Sequence, residues 1–129
     1  MGQQALRLLL DSHALLWWLD ETELAAEARD AIAEPDNAVW VSAASVWELA
    51  IKASTGKLHL PGDLRQQIED EGFLELPISA AHGLRAGALP RIHADPFDRM
   101  LIAQALIGGL TIVTRDRRFP RYGVAVFPA

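Results

Sequence analysis

HADPFDRMLIAQALIGGLTIVT, residues 93–114, contains both kinds of segment from which the fold of this chain is built. Asp95 followed by Pro96 is typical of a helix start, because aspartate caps the first turn and proline suits the first helical position. Gly108-Gly109 ends the apolar segment, and residues 110–114 are apolar or β-branched throughout, which favours a buried strand. The stretch therefore predicts a helix that leads directly into a strand of a covered sheet.

The same alternation of helix and strand runs along the rest of the chain. Apolar runs predict further strands at residues 7–10, 38–41, 74–76 and 124–127, and helices are predicted at residues 12–19, 21–33, 42–54, 63–70 and 79–87. Strands that alternate with helices form a parallel sheet that is covered on both faces. We predict an α/β fold, a three-layer α/β/α sandwich whose central, mostly parallel sheet has about five strands, in a single domain spanning residues 1–129.

Composition narrows the class of protein. Half of the 129 residues are hydrophobic and 22% are charged, and no apolar run approaches the roughly 20 residues that a membrane span needs. The chain has no cysteine, which excludes disulfides and thiolate zinc sites, and its start lacks the pattern of a secretory leader. A formal net charge of −5 argues against a nonspecific nucleic-acid coat protein. We expect a cytoplasmic protein with no membrane partner.

Four acidic residues fall where an open α/β sheet binds its ligands, outside the carboxyl ends of the strands. Asp11 follows the first strand, Glu48 lies in the helix after the second, and Asp98 lies in the first turn of the helix quoted above. Asp116 comes two residues after residues 110–114. Each acid also has a structural alternative, because aspartate caps helices and shapes turns.

Asp95 and Asp98 are three residues apart, but the pattern assigns them different roles. Asp95 is best explained as the cap of the helix. Asp98 shares a helical face with Leu101, so it points along the buried stripe, whereas Arg99 and Gln104 are expected to point to water. Of the two aspartates, Asp98 is therefore the candidate ligand.

Carboxylates that converge in one pocket predict a bound cation. Glu48 also stands in an apolar helix, where a surface ion pair with Lys52 is the alternative explanation. Two carboxylates roughly 5 Å apart repel by about 3 kcal/mol at an effective dielectric near 20. Oxygen ligands without cysteine favour Mg²⁺ or Mn²⁺ over zinc. Such a centre activates water for attack on a phosphodiester, which predicts a phosphodiesterase.

Four blocks of sequence occur in an order that is specific to one family. They are LLLDSHALLWWL at residues 8–19, SAASVWELAIKASTGKLHLP at 42–61, HADPFDRMLIAQAL at 93–106 and TIVTRDRRFPRYGV at 111–124. In these blocks, and over nearly its whole length, the chain resembles the PIN-domain ribonucleases, in particular the VapC-like toxins of bacterial type II toxin–antitoxin pairs. The resemblance implies a metal-dependent endoribonuclease, and we expect cleavage by a metal-activated water that leaves 5′-phosphate and 3′-hydroxyl ends.

The resemblance also implies which residues form the catalytic site. Asp11, Glu48, Asp98 and Asp116 match the family's four acids, although many relatives carry Asn at the last position or displace its acid along the loop. We expect Asp11 and Asp98 to bind Mg²⁺ or Mn²⁺ directly, and Glu48 and Asp116 to do so directly or through water. Asp95 is characteristic of the Asp-Pro-Phe-Asp subgroup and is expected to contact the metal only indirectly.

Several neighbours are expected to assist these acids. Thr114 resembles the family's hydroxyl residue near the metal, acting through a water. His13 and His93 flank the acids and are expected to support or orient, because a hard-metal oxygen site needs no nitrogen ligand. The arginines of residues 115–121 form a basic segment in an acidic chain, whose alternative is a solvated loop. Those expected to steer the RNA backbone are Arg115, Arg117 and Arg118.

The family picture implies a homodimer that a cognate VapB-like antitoxin silences by forming a hetero-oligomer with it. The antitoxin typically lays a C-terminal segment over the acidic groove. Leu15-Leu16 and Trp17-Trp18 suit that contact or the dimer interface, with plain core packing as the alternative. Trp40 and Trp47 are expected in the core.

Two other classes of protein fit parts of the pattern. A receiver- or phosphatase-like α/β domain also binds Mg²⁺ at an aspartate after its first strand, but such phosphatases have a second aspartate two residues on, where this chain has His13. A non-catalytic PIN-like binding module would use the acids only as caps. The response to metal separates these classes: a module would show neither stabilisation by Mg²⁺ or Mn²⁺ nor cleavage of RNA.

Overall fold

The strands and helices are those of a computed structural model, which describes residues 4–60 and 62–129. The strands β1 to β5 are Arg7–Leu10, Ala38–Ser42, Leu74–Leu76, Thr111–Thr114 and Val126–Pro128. The α-helices α1 to α6 are Ser12–Leu19, Ala26–Ala33, Ala43–Ser54, Leu64–Asp70, Ala80–Ala88 and Pro96–Gly108. A 3₁₀ helix at Phe119–Tyr122 precedes β5. In this part of the chain, no helix combines the length and the apolar character that crossing a membrane requires.

The sheet is parallel throughout and has the order β3-β2-β1-β4-β5. Leu10 at the end of β1 pairs with Val41 of β2 on one side and with Val113 of β4 on the other. The chain thus builds outward from β1 to β3 and then returns to the opposite side of β1. This reversal puts the switch point, where open α/β sheets bind their ligands, between β1 and β4. The predicted α/β sandwich is confirmed.

The core is divided by the sheet, and β1 contributes to both halves. Leu8 and Leu10 are fully buried against side chains of α1 to α4, including Leu15 and Leu49. Leu9 points to the opposite face, where it packs with Leu101 and other residues of α6. A strand buried on both faces reads as an unbroken apolar run, which is why residues 8–10 are all leucine. The carboxyl end of β1 is therefore held rigidly from both sides.

Most predicted element boundaries lie within one residue of those observed, and the larger differences are at the start of α2 and in β5. The helix predicted at residues 21–33 begins only at Ala26, because Glu21 has a φ of 58° and the chain turns there. Strand β4 begins at Thr111 rather than at residue 110. The last strand, predicted at residues 124–127, is Val126–Pro128, because the 3₁₀ helix ends at Gly123 with a φ of 79° and delays the start of the strand.

Two side chains lie opposite to the prediction. Trp47, predicted in the core, is 62% exposed and packs edge-on against Phe97 at 5.3 Å between ring centroids. Gln104, predicted to point to water, is 1% exposed. It accepts a hydrogen bond from Ser42 Oγ at 2.6 Å and donates to the carbonyl oxygens of residues 76 and 77 at 3.5 and 3.3 Å. Both predictions are wrong: the Gln104 amide is buried because it finds partners at the carboxyl ends of β2 and β3, and Trp47 lies at the surface beside the first turn of α6.

Arg99, also predicted to point to water, is half-buried and ties the end of α5 to α6. Its guanidinium donates to the carbonyl oxygens of Ala86, Leu89 and Pro90, each at 2.9 Å. A planar group with several donors suits this arrangement, because it satisfies the carbonyls at a helix end that have no partner within the helix. Arg99 therefore shapes the loop that carries residues 90–95.

The leucine and tryptophan pairs of α1 divide between the core and its edge. Leu15 is fully buried, whereas Leu16, Trp17 and Trp18 are partly buried and pack against the same core. Core packing thus accounts for much of this apolar surface, and the interface roles stay a prediction. Trp40, expected in the core, is half-buried against it, with the Arg7 guanidinium 5.2 Å above its ring.

Candidate metal centre

The four predicted acids converge at the carboxyl ends of β1 and β4. Asp11 directly follows β1, and Asp116 lies two residues after β4. Glu48 reaches the same place from α3, and Asp98 reaches it from the first turn of α6. Their charges act on one another, because Glu48, Asp11 and Asp116 all raise the pKa of Asp98. Residues from four separate segments thus form one acidic pocket.

Asp11 is both a helix cap and a buried carboxylate. It is 7% exposed, and its Oδ1 accepts a hydrogen bond from the backbone N–H of Ala14 at 2.8 Å, which caps α1. Burial raises the pKa of Asp11, although hydrogen bonds from Thr114 and Ala14 oppose that shift. The cap and ligand roles, which are alternatives at the level of sequence, are compatible at this residue.

Asp95 and Asp98 take the positions in α6 that the pattern predicts. Asp95 Oδ1 accepts from the backbone N–H groups of Phe97 and Asp98 at 2.9 and 3.0 Å, which confirms that Asp95 caps α6. The Asp98 side chain points inward and is 24% exposed. Burial, followed by the charges of Asp95 and Glu48, raises the pKa of Asp98 to about 7. A carboxylate so disfavoured near neutral pH is one that a cation would stabilise.

Thr114 links two of the acids from the end of β4. Its side chain is buried, with the residue 2% exposed, and it makes a hydrogen bond to Asp11 that lowers the pKa of that carboxyl. Its Oγ1 also accepts from the backbone N–H of Asp116 at 3.0 Å. The predicted supporting hydroxyl therefore lies between the acids that follow the two central strands.

Asp116 is held by Arg118 through both of its carboxylate oxygens. Oδ1 accepts from Arg118 Nε at 3.0 Å and from the Arg118 backbone N–H at 2.9 Å, and Oδ2 accepts from the guanidinium at 2.7 Å. These hydrogen bonds to Arg118 hold the pKa of Asp116 below its ordinary range. Asp116 is thus an ionised carboxylate, and a cation bound there would share it with an arginine.

Glu48 has two partners that position it. Its carboxylate accepts a hydrogen bond from the Ser12 hydroxyl at the start of α1, and Lys52 Nζ lies 3.4 Å from Oε2. The ion pair that the sequence offers as an alternative is therefore present, but an exposed i,i+4 pair contributes only about 0.3–0.5 kcal/mol. Ser12 is buried, so it is this hydroxyl that ties Glu48 to the segment after β1.

The remaining predicted residues lie at the edge of the pocket. His13 is exposed and stacks on Trp17, with ring centroids 5.6 Å apart. The Arg115 guanidinium lies 4.1 Å from the Trp17 ring, donates to the Ala129 carbonyl oxygen at 2.8 Å and pairs with Glu23. Arg117 is exposed. The three arginines therefore differ: Arg115 is engaged in packing, Arg118 is paired with an acid, and Arg117 faces water.

His93 lies nearer to the acids than the sequence suggested. Ligand atoms of His93, Asp98 and Asp116 all lie within 4.8 Å of one another, and His93 Nε2 is 3.6 Å from Asp98 Oδ2. Its Nδ1 is 2.7 Å from the Tyr122 hydroxyl. Among the described residues, Nε2 is buried without a hydrogen-bond partner. The signal in the sequence is the position of the histidine two residues before the helix cap, beside the first turn of α6.

This donor set fits a hard divalent cation. Two carboxylates and an imidazole within 4.8 Å of one another can share an ion with ligand distances of about 2.1 Å if they close in by a few tenths of an ångström. A bound cation would satisfy both the unpartnered, buried nitrogen and the disfavoured negative charge of Asp98. Chemically, such a pocket suits Lewis-acid assistance at a phosphoryl group.

Comparison with known proteins agrees with this picture. The family model of the PIN domain matches residues 8–125. Ribonuclease VapC22 of Mycobacterium tuberculosis is 32% identical over 113 residues, which cover 85% of this chain and 87% of that protein.

Two solved structures show the same fold. FitAcB from Neisseria gonorrhoeae aligns with a TM-score of 0.65 at 22% identity, over 94% of this chain and 96% of that chain. VapBC2 from Rickettsia felis, bound to a DNA fragment from its promoter, aligns with a TM-score of 0.67 at 13% identity, over 95% of this chain and 98% of that chain. At such identities these structures support the fold alone. The match to the family model and the 32% identity to a VapC protein show that the chain belongs to the PIN domain family.

Proposed function

We propose that this chain, acting as a single PIN domain, is the toxin of a toxin–antitoxin pair and cleaves RNA as a divalent-metal-dependent endoribonuclease. The observation that carries the proposal is the convergence of Asp11, Glu48, Asp98 and Asp116 at the carboxyl ends of β1 and β4, where burial and neighbouring acids raise the pKa of Asp98 to about 7. The family relative is named a ribonuclease, which supports the same chemistry. RNA is the substrate, and the cytoplasm is the compartment that we propose.

The proposed metal centre uses the residues predicted from the sequence. Asp11 and Asp98 bind Mg²⁺ or Mn²⁺ directly, Glu48 and Asp116 do so directly or through water, and Asp95 contacts the cation only indirectly. When bound, the cation supplies Lewis-acid chemistry, since it polarises a phosphoryl oxygen and activates water. Asp98 gives up its proton as the cation enters, because a ligand must be deprotonated. Metal binding is thus coupled to proton release.

The chain's own residues position these groups. Thr114 holds Asp11 through its hydroxyl and fixes the backbone of Asp116. Asp95 sets the start of α6, which directs Asp98 inward. Arg118 keeps Asp116 ionised through two carboxylate contacts. Each of these contacts orders a carboxylate before substrate arrives, which lowers the reorganisation that catalysis requires.

The arginines after β4 provide positive charge on the path to the pocket. Arg117 is exposed and can contact an RNA phosphate directly. Arg118 adjoins the acids through Asp116, so it can meet the phosphate nearest to the reacting bond. Arg115 contacts Trp17 and Glu23, so it contributes only to the local electrostatic field. We therefore expect Arg117→Ala to weaken RNA binding more than Arg115→Ala does.

The test is RNA cleavage by the purified protein with and without metal. Cleavage should require Mg²⁺ or Mn²⁺, should stop in EDTA, and should leave 5′-phosphate ends. Asp98→Asn should reduce the rate at least about 100-fold, the loss expected when one electrostatic group is removed from an active site. Asp30→Asn, in which an exposed acid of α2 is changed, is the matched control and should cleave normally. Cleavage that survives in EDTA or in Asp98→Asn would contradict the proposal.

We further propose a homodimer that is silenced by a cognate VapB-like antitoxin in a hetero-oligomer. Structures of similar fold include a VapBC complex, which supports such a partner. On α3, next to Glu48, the side chains of Trp47 and Ile51 are 62% and 39% exposed and offer apolar surface for a protein contact. Light scattering should give the mass of a dimer, and coexpression with the product of the adjacent gene should give a larger, inactive complex. A monomer that ignores that product would refute this assignment.

A non-catalytic PIN-like module is the remaining alternative, and the metal-dependent cleavage assay separates it from the nuclease. The phosphatase-like alternative is disfavoured by His13, which stands where such phosphatases have a second aspartate, and the receiver-like alternative is disfavoured by the sheet. In the flavodoxin-like order of receivers, the third strand neighbours the first. Here β3 is an edge strand and β4 neighbours β1.

A further inference from the structure

We infer that His93 is a ligand of the metal centre, binding the cation through Nε2 together with Asp98 and Asp116; this inference rests on the proposed function. A centre built only from carboxylates needs no nitrogen, so the sequence alone offers no reason to expect one. The structure offers such a reason in the burial of His93, in its hydrogen bonds and in the direction of its Nε2 atom.

The imidazole ring is locked in place. Its side chain is 3% exposed, and the ring stands edge-on to Phe119 with centroids 5.9 Å apart and tilted against Tyr122 at 5.4 Å. The backbone N–H of His93 donates to the Tyr122 hydroxyl at 3.0 Å, so the main chain and the ring are held by the same group. A side chain fixed in this way cannot turn Nε2 away from the acids.

The hydrogen bonds at Tyr122 anchor the ring through Nδ1. The hydroxyl accepts from the backbone N–H of His93 and lies 2.7 Å from Nδ1. Metal binding at Nε2 requires the tautomer in which Nδ1–H donates to this hydroxyl, because Nε2 then has a free lone pair. Histidines that bind metals are usually anchored through their other ring nitrogen in this manner.

Nε2 points towards the carboxylates. It is 3.6 Å from Asp98 Oδ2, which is too long for a hydrogen bond, and among the described residues it has no other partner. Neighbouring ligands of an octahedral ion at about 2.1 Å lie about 3 Å apart, and opposite ligands about 4.2 Å apart. The set of His93, Asp98 and Asp116, whose ligand atoms lie within 4.8 Å of one another, is wider than this by at most about 0.6 Å, so a small inward movement of the two carboxylates would let all three hold one ion. A lone pair that faces carboxylate oxygens is unfavourable unless a cation lies between them.

A nitrogen ligand also affects which metal the site prefers. Mg²⁺ is a hard ion that strongly prefers oxygen, whereas later divalent metals accept imidazole more readily. His93 should therefore strengthen the binding of Mn²⁺ more than that of Mg²⁺. Loss of the imidazole should narrow the difference between the affinities for Mn²⁺ and Mg²⁺.

The test uses the full chain with Mn²⁺, whose binding and ligands are read by electron paramagnetic resonance. Pulsed spectra of the wild-type protein should show coupling of Mn²⁺ to a histidine ¹⁴N. His93→Gln should lose that coupling and bind Mn²⁺ at least about 10-fold more weakly, with a smaller change for Mg²⁺. His59→Gln, which changes an exposed histidine between α3 and α4, is the matched control and should keep both properties.

A second variant tests the anchor. Tyr122→Phe keeps the ring but removes the hydroxyl, so we expect the nitrogen coupling to remain and Mn²⁺ affinity to fall about 10-fold, as for other lost partners of ligating histidines. If His93→Gln does not fold, His13→Gln decides, because His13 is the other histidine that lies near the acids. The coupling should persist in that variant.

The outcomes separate this inference from the proposed function. Bound Mn²⁺ without nitrogen coupling, or coupling that disappears in His13→Gln, would overturn the role of His93 and leave a carboxylate centre intact. Failure of the wild-type protein to bind Mn²⁺ at all would instead overturn the proposed metal-dependent nuclease and this inference with it.

Discussion

Replacement of Asp98 by asparagine is expected to stabilise the metal-free protein while it abolishes cleavage. The pKa of Asp98 is raised from its ordinary value of 3.8 to about 7, first by burial and then by the charges of neighbouring acids. Between these two values the folded protein retains a proton that the unfolded chain has released. The contribution of Asp98 to stability is thus fully present below pH 3.8 and is lost as the pH rises to about 7.

The size of the effect follows from the shift. About three pKa units at about 1.4 kcal/mol each give a cost of about 4 kcal/mol for ionised Asp98 at pH 8, and of about 2 kcal/mol at pH 5. Asparagine does not ionise, but burial of its amide costs about 2 kcal/mol. We therefore expect Asp98→Asn to raise the free energy of unfolding by about 2 kcal/mol at pH 8 and to leave it nearly unchanged at pH 5.

Urea titrations in EDTA at both pH values, followed by the fluorescence of the four tryptophans, measure this difference. Addition of Mn²⁺ should reverse the order at pH 8, because only the wild-type protein retains the ligand. Asp30→Asn should show no pH-dependent gap. The reasoning is refuted if Asp98→Asn is less stable than the wild-type protein at pH 8 in EDTA, or if the gap does not change with pH. Asp98 would then be mainly a structural partner.

Three further substitutions test contacts around the pocket. Asp95→Ala should lower the free energy of unfolding, measured by urea titration, by about 1 kcal/mol through loss of the helix cap. Asp95→Ser should restore most of this loss, and equal losses in the two variants would argue against the cap. Gln104→Leu should lower the stability measured by thermal unfolding by about 1–3 kcal/mol, because it leaves the buried Ser42 hydroxyl without its acceptor. Adding Ser42→Ala should recover part of this loss rather than increase it. Arg99→Lys should speed hydrogen exchange in residues 86–93, since a lysine cannot replace the fork of donors to their carbonyls; unchanged exchange would contradict that role.

Local chemistry was enough to predict most of the elements and one half of the site. The strands are apolar runs, and the start of α6 is set by Asp95 and Pro96, whose effects extend over a single turn. Because that start is a local property, the inward direction of Asp98 follows from helical periodicity alone. The sequence therefore predicted which aspartate caps and which faces the pocket.

Tertiary structure decided the features that depend on distances between remote segments. The order of the strands brings β4 beside β1, and so brings Asp116 near Asp11. Gln104 is buried because its amide meets the carboxyl ends of β2 and β3, which are remote from it in the sequence. His93 enters the pocket because a hydroxyl 29 residues away, that of Tyr122, holds its ring. A set of metal ligands requires atoms from remote residues to lie within a few ångströms of one another. Spacing along the chain determines such distances only within one helix or strand.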